Sequence, residues 1–150
     1  MAPRTRRDSS RDADAVKLRA ISLTPLRRCI LDLVVKAEQP IKAYDLLDRL
    51  RLERQKAVPA TVYRSLNFLI AEGLVHKLAT GSRYVACLYP GELHDASFLV
   101  CESCGTVKEI RTNLTSLVES AEADAWGFRA NARTVEIRGV CGDCLDRGSP

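Results

Sequence analysis

Six cysteines occur in this chain of 150 residues, and four of them form two C-x-x-C pairs: Cys101 and Cys104 in CESCG, and Cys141 and Cys144 in CGDC. A turn with two intervening residues lets both thiolates of a pair point at one ion. Two such pairs complete a tetrahedron with no position left for water or substrate. Four thiolates in that geometry select zinc or iron, and a filled shell means structure rather than catalysis. A redox-active C-x-x-C, which would need the strand-to-helix step of a βαβ unit, and an iron–sulfur site are the other chemistries open to these residues. Residues 91–150, which carry both pairs, can form only a small core, so the metal is expected to be what lets that part fold.

The elements that must position these thiols are legible in the hydrophobic pattern. From Ser97 to Val140 the chain reads as short strands, SFLVC, TVKEI and ARTVEIRGV, with Leu114, Leu117, Val118, Ala121 and Ala125 forming one stripe of a helix before the last of them. The first half reads differently. Thr24 followed by Pro25 is an N-cap and first-turn signature, and Leu26, Cys29, Ile30, Leu33, Val34 and Ala37 recur at helical spacing behind it. Cys29 lies on that stripe and reads as a small buried hydrophobe. A second helix is expected over Ala43–Leu52, and a third from Pro59, ended by Gly73 and leaving Thr61, Tyr63, Arg64 and Asn67 on its polar face. Three helices of this kind match a helix-turn-helix unit. Two strand-like runs follow around Thr80-Gly81-Ser82-Arg83, where Gly81 suits a type II′ hairpin turn.

The expected fold is therefore α+β. A basic tail over 1–12, expected to be mobile, precedes an N-terminal winged-helix domain (helix-turn-helix plus β-hairpin wing) over 13–87. A hinge over 88–92 leads to a small α/β domain over 93–150 that carries the four-cysteine site. Charge divides the same way: residues 1–90 hold 17 Lys and Arg against 9 Asp and Glu, and residues 91–150 hold 6 against 10. An excess of +8 followed by −4 suggests that the first part meets a polyanion and the second does not. Neither a secretory signal nor a run of 18 apolar residues occurs, so the chain reads as cytoplasmic with no membrane partner. In a reducing compartment, close cysteine pairs read as metal ligands or catalytic thiols before they read as disulfides.

The stretch P-A-T-V-Y-R-S-L-N-F-L-I-A-E-G-L-V-H-K-L, together with the paired C-x-x-C motifs, resembles the ferric uptake regulator family of bacterial metal-responsive repressors. The likeness runs over about residues 16–146. It implies a homodimer with an N-terminal winged-helix DNA-binding domain, a hinge and a C-terminal dimerisation domain. Iron-type members carry an H-H-x-H segment before the first cysteine pair. Here that segment is Leu93-His94-Asp95-Ala96-Ser97, and the chain has only His76 and His94. A multi-histidine iron, manganese or peroxide-sensing site cannot be assembled from two histidines, and the pattern of the family's zinc-responsive members fits instead.

By that resemblance the regulatory ligands fall on His76, Cys87, His94 and Glu109, giving two zinc ions per chain, one structural and one regulatory. If Gly81-Ser82 is a two-residue turn, Thr80 faces Arg83 and His76 faces Cys87, so the wing supplies half of the site. The resemblance also puts the helix from Pro59 in the major groove of double-stranded DNA, with Tyr63 and Arg64 near base edges, Thr61 near the backbone and Tyr44 as a second contact. A palindromic operator follows from the dimer. The function implied is zinc-responsive repression of zinc uptake genes. The alternatives are a regulator of the same family answering iron or another metal, and a structural-zinc interaction module without sensing. An enzyme is not expected, since neither metal set leaves an open coordination position, and no small-molecule substrate is implied.

Overall fold

The structure, a computed structural model, describes residues 23–91, 94–111, 121–129 and 134–148. The basic tail and residues 13–22 lie outside the described residues. So does most of the helix expected over 114–125, of which residues 121–125 are described and helical. The chain is α+β and forms two compact units. One runs to Lys77 and resumes from Tyr84 to residue 92; the other takes Leu78–Arg83 and the chain from residue 93 onward.

In the first unit, α1 spans Pro25–Lys36. The Thr24 hydroxyl accepts the Arg27 amide at 3.4 Å, and Pro25 occupies the first turn, where a missing N–H costs nothing. The buried stripe of α1 is Ile30, Leu31 and Val34, while Leu26, Cys29, Leu33 and Ala37 pack against it from its edges. Cys29 is thus half-buried rather than fully buried. Its thiol donates to Glu53 Oε2 at 3.6 Å, and burial, followed by the Glu53 charge, pushes it above the ordinary thiol range.

Helix α2 spans Ala43–Glu53 and buries Ala43, Leu46, Leu47 and Leu50. Helix α3 spans Pro59–Ala71 and buries Val62, Ser65, Leu66 and Leu69. Its end is fixed by Gly73, at φ +67°. There the Leu74 N–H reaches the Leu69 carbonyl and the Gly73 N–H reaches that of Ile70, both at 2.9 Å, which satisfies carbonyls the helix would otherwise leave open. Among the described residues, fifteen buried side chains from these helices, the adjoining strands and the flanking Leu23 and Leu74 make one core.

Strand β1 (Ile41–Lys42) is joined to a hairpin of β2 (Val75–Lys77) and β3 (Arg83–Ala86) in the order β1-β3-β2. The hairpin corrects the expected register. His76 faces Val85, Lys77 faces Tyr84, and the Cys87 N–H donates to the Leu74 carbonyl at 3.0 Å. His76 and Cys87 are therefore not directly opposed. The loop is four residues long, Ala79–Ser82, closed by the Leu78 N–H on the Arg83 carbonyl at 2.8 Å. Gly81 (φ 73°, ψ 13°) is left-handed rather than in the II′ conformation, and Ser82 is left-handed too, at φ 48°. The reversal starts early because the Ala79 and Thr80 amides bond the Glu136 carboxylate and not the ladder. The displacement is an even number of residues, so His76 and Cys87 still share a face, as diagonal neighbours.

In the second unit β4 (Ala96–Cys101) is the central strand, with β5 (Val107–Ile110) antiparallel on one side and β6 (Thr134–Gly139) parallel on the other. A parallel return needs a crossover; between β5 and β6 the described residues 121–125 are helical. Phe98, fully buried, pairs with Glu109 across one side and Glu136 across the other. A short helix, α4 (Gly142–Asp146), follows. Among the described residues, no helix is long and apolar enough to cross a membrane.

Candidate metal centres

The end of β4 and the start of α4 bring the four cysteines together. Cys101 ends β4 and Cys141 caps α4, and β6 runs parallel to β4 with Cys101 facing Gly139. The Glu102 N–H locks this junction by donating to the Gly139 carbonyl at 2.8 Å. Between the first pair the chain turns tightly: the Gly105 N–H returns to the Cys101 carbonyl at 2.9 Å, with Gly105 at φ 74°, a conformation that favours a residue without Cβ. All four Sγ atoms lie within 4.8 Å of one another.

Cys104 and Cys141 Sγ are 3.7 Å apart. A disulfide would require about 2.05 Å, whereas thiolates about 2.3 Å from a central zinc stand about 3.8 Å apart along a tetrahedral edge. The donor set fits a closed zinc site.

The electrostatics suit a cation. The Cys104 and Cys141 amides donate to Cys101 Sγ at 3.5 and 3.3 Å, and these bonds hold the Cys101 thiol down to about 6. The Thr106 hydroxyl and amide hold Cys104 below the ordinary thiol range. At Cys141 the Cys144 amide favours the thiolate, yet the neighbouring thiols and burial outweigh it and push the group up to about 12. Like charges crowded together keep a last proton, which a divalent ion would displace.

The regulatory candidates form two halves. In the second unit His94 Nε2 meets Glu109 Oε1 at 2.8 Å, with side chains 11% and 2% exposed. In the first unit His76 and Cys87 share the face of the wing described above. Cys87 is 1% exposed, and its Sγ accepts the Tyr89 N–H at 3.3 Å. Two imidazoles, a thiolate and a carboxylate are a donor set suited to tetrahedral zinc.

The proposed DNA contacts all lie in the first unit. Tyr63 and Arg64 are exposed on α3 and Thr61 is half-buried. Their helix is held from behind by Val62, Leu66 and Leu69, and the buried Ser65 hydroxyl bonds back to the Thr61 carbonyl at 2.9 Å. Tyr44, on the first turn of α2, is 63% exposed. One carboxylate to which sequence reasoning gave no role is Glu136, on the same row of the sheet as Glu109. Its partners lie 56 and 57 residues away, so no local spacing announces it.

Comparison with known proteins gives a consistent result. Residues 19–138 match the model of the ferric uptake regulator family. The chain is 36% identical over 129 residues to the zinc uptake regulation protein of Escherichia coli K12, covering 85% of this chain and 75% of that one. It is 32% identical over 124 residues to the zinc uptake regulation protein of Mycobacterium tuberculosis H37Rv, covering 81% and 92%. A solved structure of a zinc uptake regulator complexed with zinc and DNA superposes with a TM-score of 0.84 at 33% identity, covering 97% of this chain and all of that one. A winged helical unit, a four-thiol cluster at the end of a three-stranded sheet and this breadth of likeness place the chain in the ferric uptake regulator family.

Proposed function

We propose that this protein is a zinc-responsive transcriptional repressor that binds a palindromic operator as a homodimer when a regulatory zinc is bound, and so controls zinc uptake genes. One zinc, held by Cys101, Cys104, Cys141 and Cys144, keeps the second unit folded. A second, held by His76, Cys87, His94 and Glu109, joins the wing to the dimerisation unit and fixes the separation of the two recognition helices. Only one separation spans two half-sites, so zinc and DNA each favour the state the other binds. The observation that carries this reading is the buried His94–Glu109 pair at 2.8 Å, a hard and borderline donor pair held ready in one unit while the wing offers an imidazole and a thiol in the other. The two relatives named for zinc uptake regulation and the solved complex with zinc and DNA support it.

The test is a zinc titration of protein already holding its structural metal, followed by binding to a palindromic AT-rich duplex. Affinity is expected to rise on the order of 100-fold, within the range of ordinary coupling energies. An unchanged affinity would make the chain a structural-zinc interaction module. A response to ferrous or manganous ion in place of zinc would make it a regulator for another metal.

Base reading is assigned to Arg64, with Tyr63 beside it, Thr61 on the backbone and Tyr44 as the contact from α2. Arg64→Ala is expected to reduce the preference for operator over random DNA by about 1–3 kcal/mol and to leave the dimer intact. Competition binding at fixed salt measures this. A variant that keeps the full preference would remove Arg64 from the reading surface.

A further inference from the structure

Glu136 occupies the middle of β6, half-buried, on the row Glu109–Phe98–Glu136 that crosses all three strands. Residues in register across a sheet project from the same face, so both carboxylates emerge from one side, flanking Phe98. They are separated by two strand spacings, about 10 Å. Glu109 serves the half-site with His94. Glu136 does something else: its Oε1 accepts the Ala79 N–H, and its Oε2 accepts the Thr80 N–H at 3.2 Å and the Thr80 hydroxyl at 2.6 Å. Ala79 and Thr80 are the tip of the hairpin whose strands carry His76 and, just past β3, Cys87.

We propose that Glu136 is a positioning residue for metal-dependent DNA binding: a latch that grips the wing tip without any metal and so presents the wing's two ligands to the sheet that carries the other two. Three donors from two adjacent residues converge on one carboxylate, and charge-assisted bonds of this kind are stronger than neutral ones. Burial pushes the carboxyl up, but the Thr80 hydroxyl, the Ala79 and Thr80 amides and the Arg138 charge outweigh it and hold the group below the ordinary carboxylate range. The Glu136 side chain is therefore ionised at neutral pH, the form in which it accepts all three bonds. The four-residue loop has the same origin, since amides turned toward Glu136 cannot close a two-residue turn. A tethered wing raises the effective concentration of His76 and Cys87 at the half-site and lowers the ordering cost of metal capture.

The functional arm of this proposal rests on the zinc-responsive reading; the structural arm does not. Full-length protein loaded with structural zinc only is used for both, with Glu136→Ala, Glu136→Gln and, as a control carboxylate on an exposed helical position of the second unit, Glu122→Gln. Amide hydrogen exchange is expected to show Ala79 and Thr80 protected in the parent chain. Exchange at those amides should be at least tenfold faster in Glu136→Ala and intermediate in Glu136→Gln, which keeps an acceptor oxygen but not the charge. Amides of β4 and β5 should not change in either variant. The free zinc needed for half-maximal operator binding should then rise about tenfold in Glu136→Ala and stay put in Glu122→Gln, with the thermal midpoint of the second unit unmoved.

Parent-like exchange at Ala79 and Thr80 in Glu136→Ala would overturn the latch. Accelerated exchange with an unmoved zinc midpoint would overturn its positioning role. If the parent chain itself ignores zinc, it is the functional reading that fails, and the exchange data alone decide whether the latch exists.

Discussion

Cys101→Ser is expected to unfold the second unit and abolish both dimer and operator binding, while the first unit keeps its helices. The two units differ sharply in what holds them. The first has a core of fifteen buried side chains around Ile30, Leu46, Leu50, Leu66 and Leu69. The second, among its described residues, buries the hydrophobic side chains of Leu78, Ala96 and Phe98 and two of the cysteines themselves. Burial contributes about 1.5–3 kcal/mol per large side chain, so these few supply only a small part of what ordering the described residues of this unit costs. A four-thiolate zinc contributes about 10–16 kcal/mol, as much as the whole stability of an ordinary domain. Cys101 is also the sulfur that receives two amide hydrogen bonds, so its loss removes the thiolate the fold has prepared most fully. Residue-resolved NMR would show β4–β6 signals collapsing and α1–α3 signals persisting. Exhaustive chelation of the parent chain should give the same spectrum, and Cys29→Ser should not. A Cys101→Ser protein that stays dimeric and melts cooperatively would mean that the four-cysteine cluster is not what folds this unit.

Cys87→Ser is expected to have the opposite profile: intact fold, intact dimer, structural zinc retained, and operator binding that no longer responds to zinc. Cys87 is fully buried and its sulfur accepts the Tyr89 amide, a bond that a serine oxygen can also accept, so packing is disturbed little. What disappears is the one soft donor among the four proposed ligands His76, Cys87, His94 and Glu109. A serine hydroxyl neither ionises at neutral pH nor offers a polarizable donor, and the remaining imidazoles and carboxylate suit harder ions better. Zinc stoichiometry should fall from two ions per chain to one, and the zinc-induced gain in DNA affinity, on the order of 100-fold in the parent, should vanish. Metal analysis after gel filtration, paired with operator titrations, reads both numbers. Retention of two ions per chain together with normal repression would sink the assignment of Cys87.

What the sequence determined by itself was everything written in short-range periodicity. The Thr24-Pro25 cap, the stripes of α1 to α3, the stop at Gly73 and the three strands of the second unit each depend on residues within one or two turns of each other, where local sterics and amphipathic burial leave few choices. The cysteine pairs were readable for the same reason: two residues between thiols is a geometric statement about one turn. Three features were decided only by the tertiary structure. Leu31 joined the buried stripe of α1 because the packing of neighbouring helices, not the helix alone, sets which side of an apolar band is covered. The wing loop opened to four residues, and His76 came to face Val85 rather than Cys87, because the tip amides found a carboxylate 56 and 57 residues away. Glu136 had no visible role in the sequence for that same reason. A hydrogen bond between distant segments leaves no spacing signal, and only the sheet that places β6 beside β4 brings its carboxylate to the partners it binds.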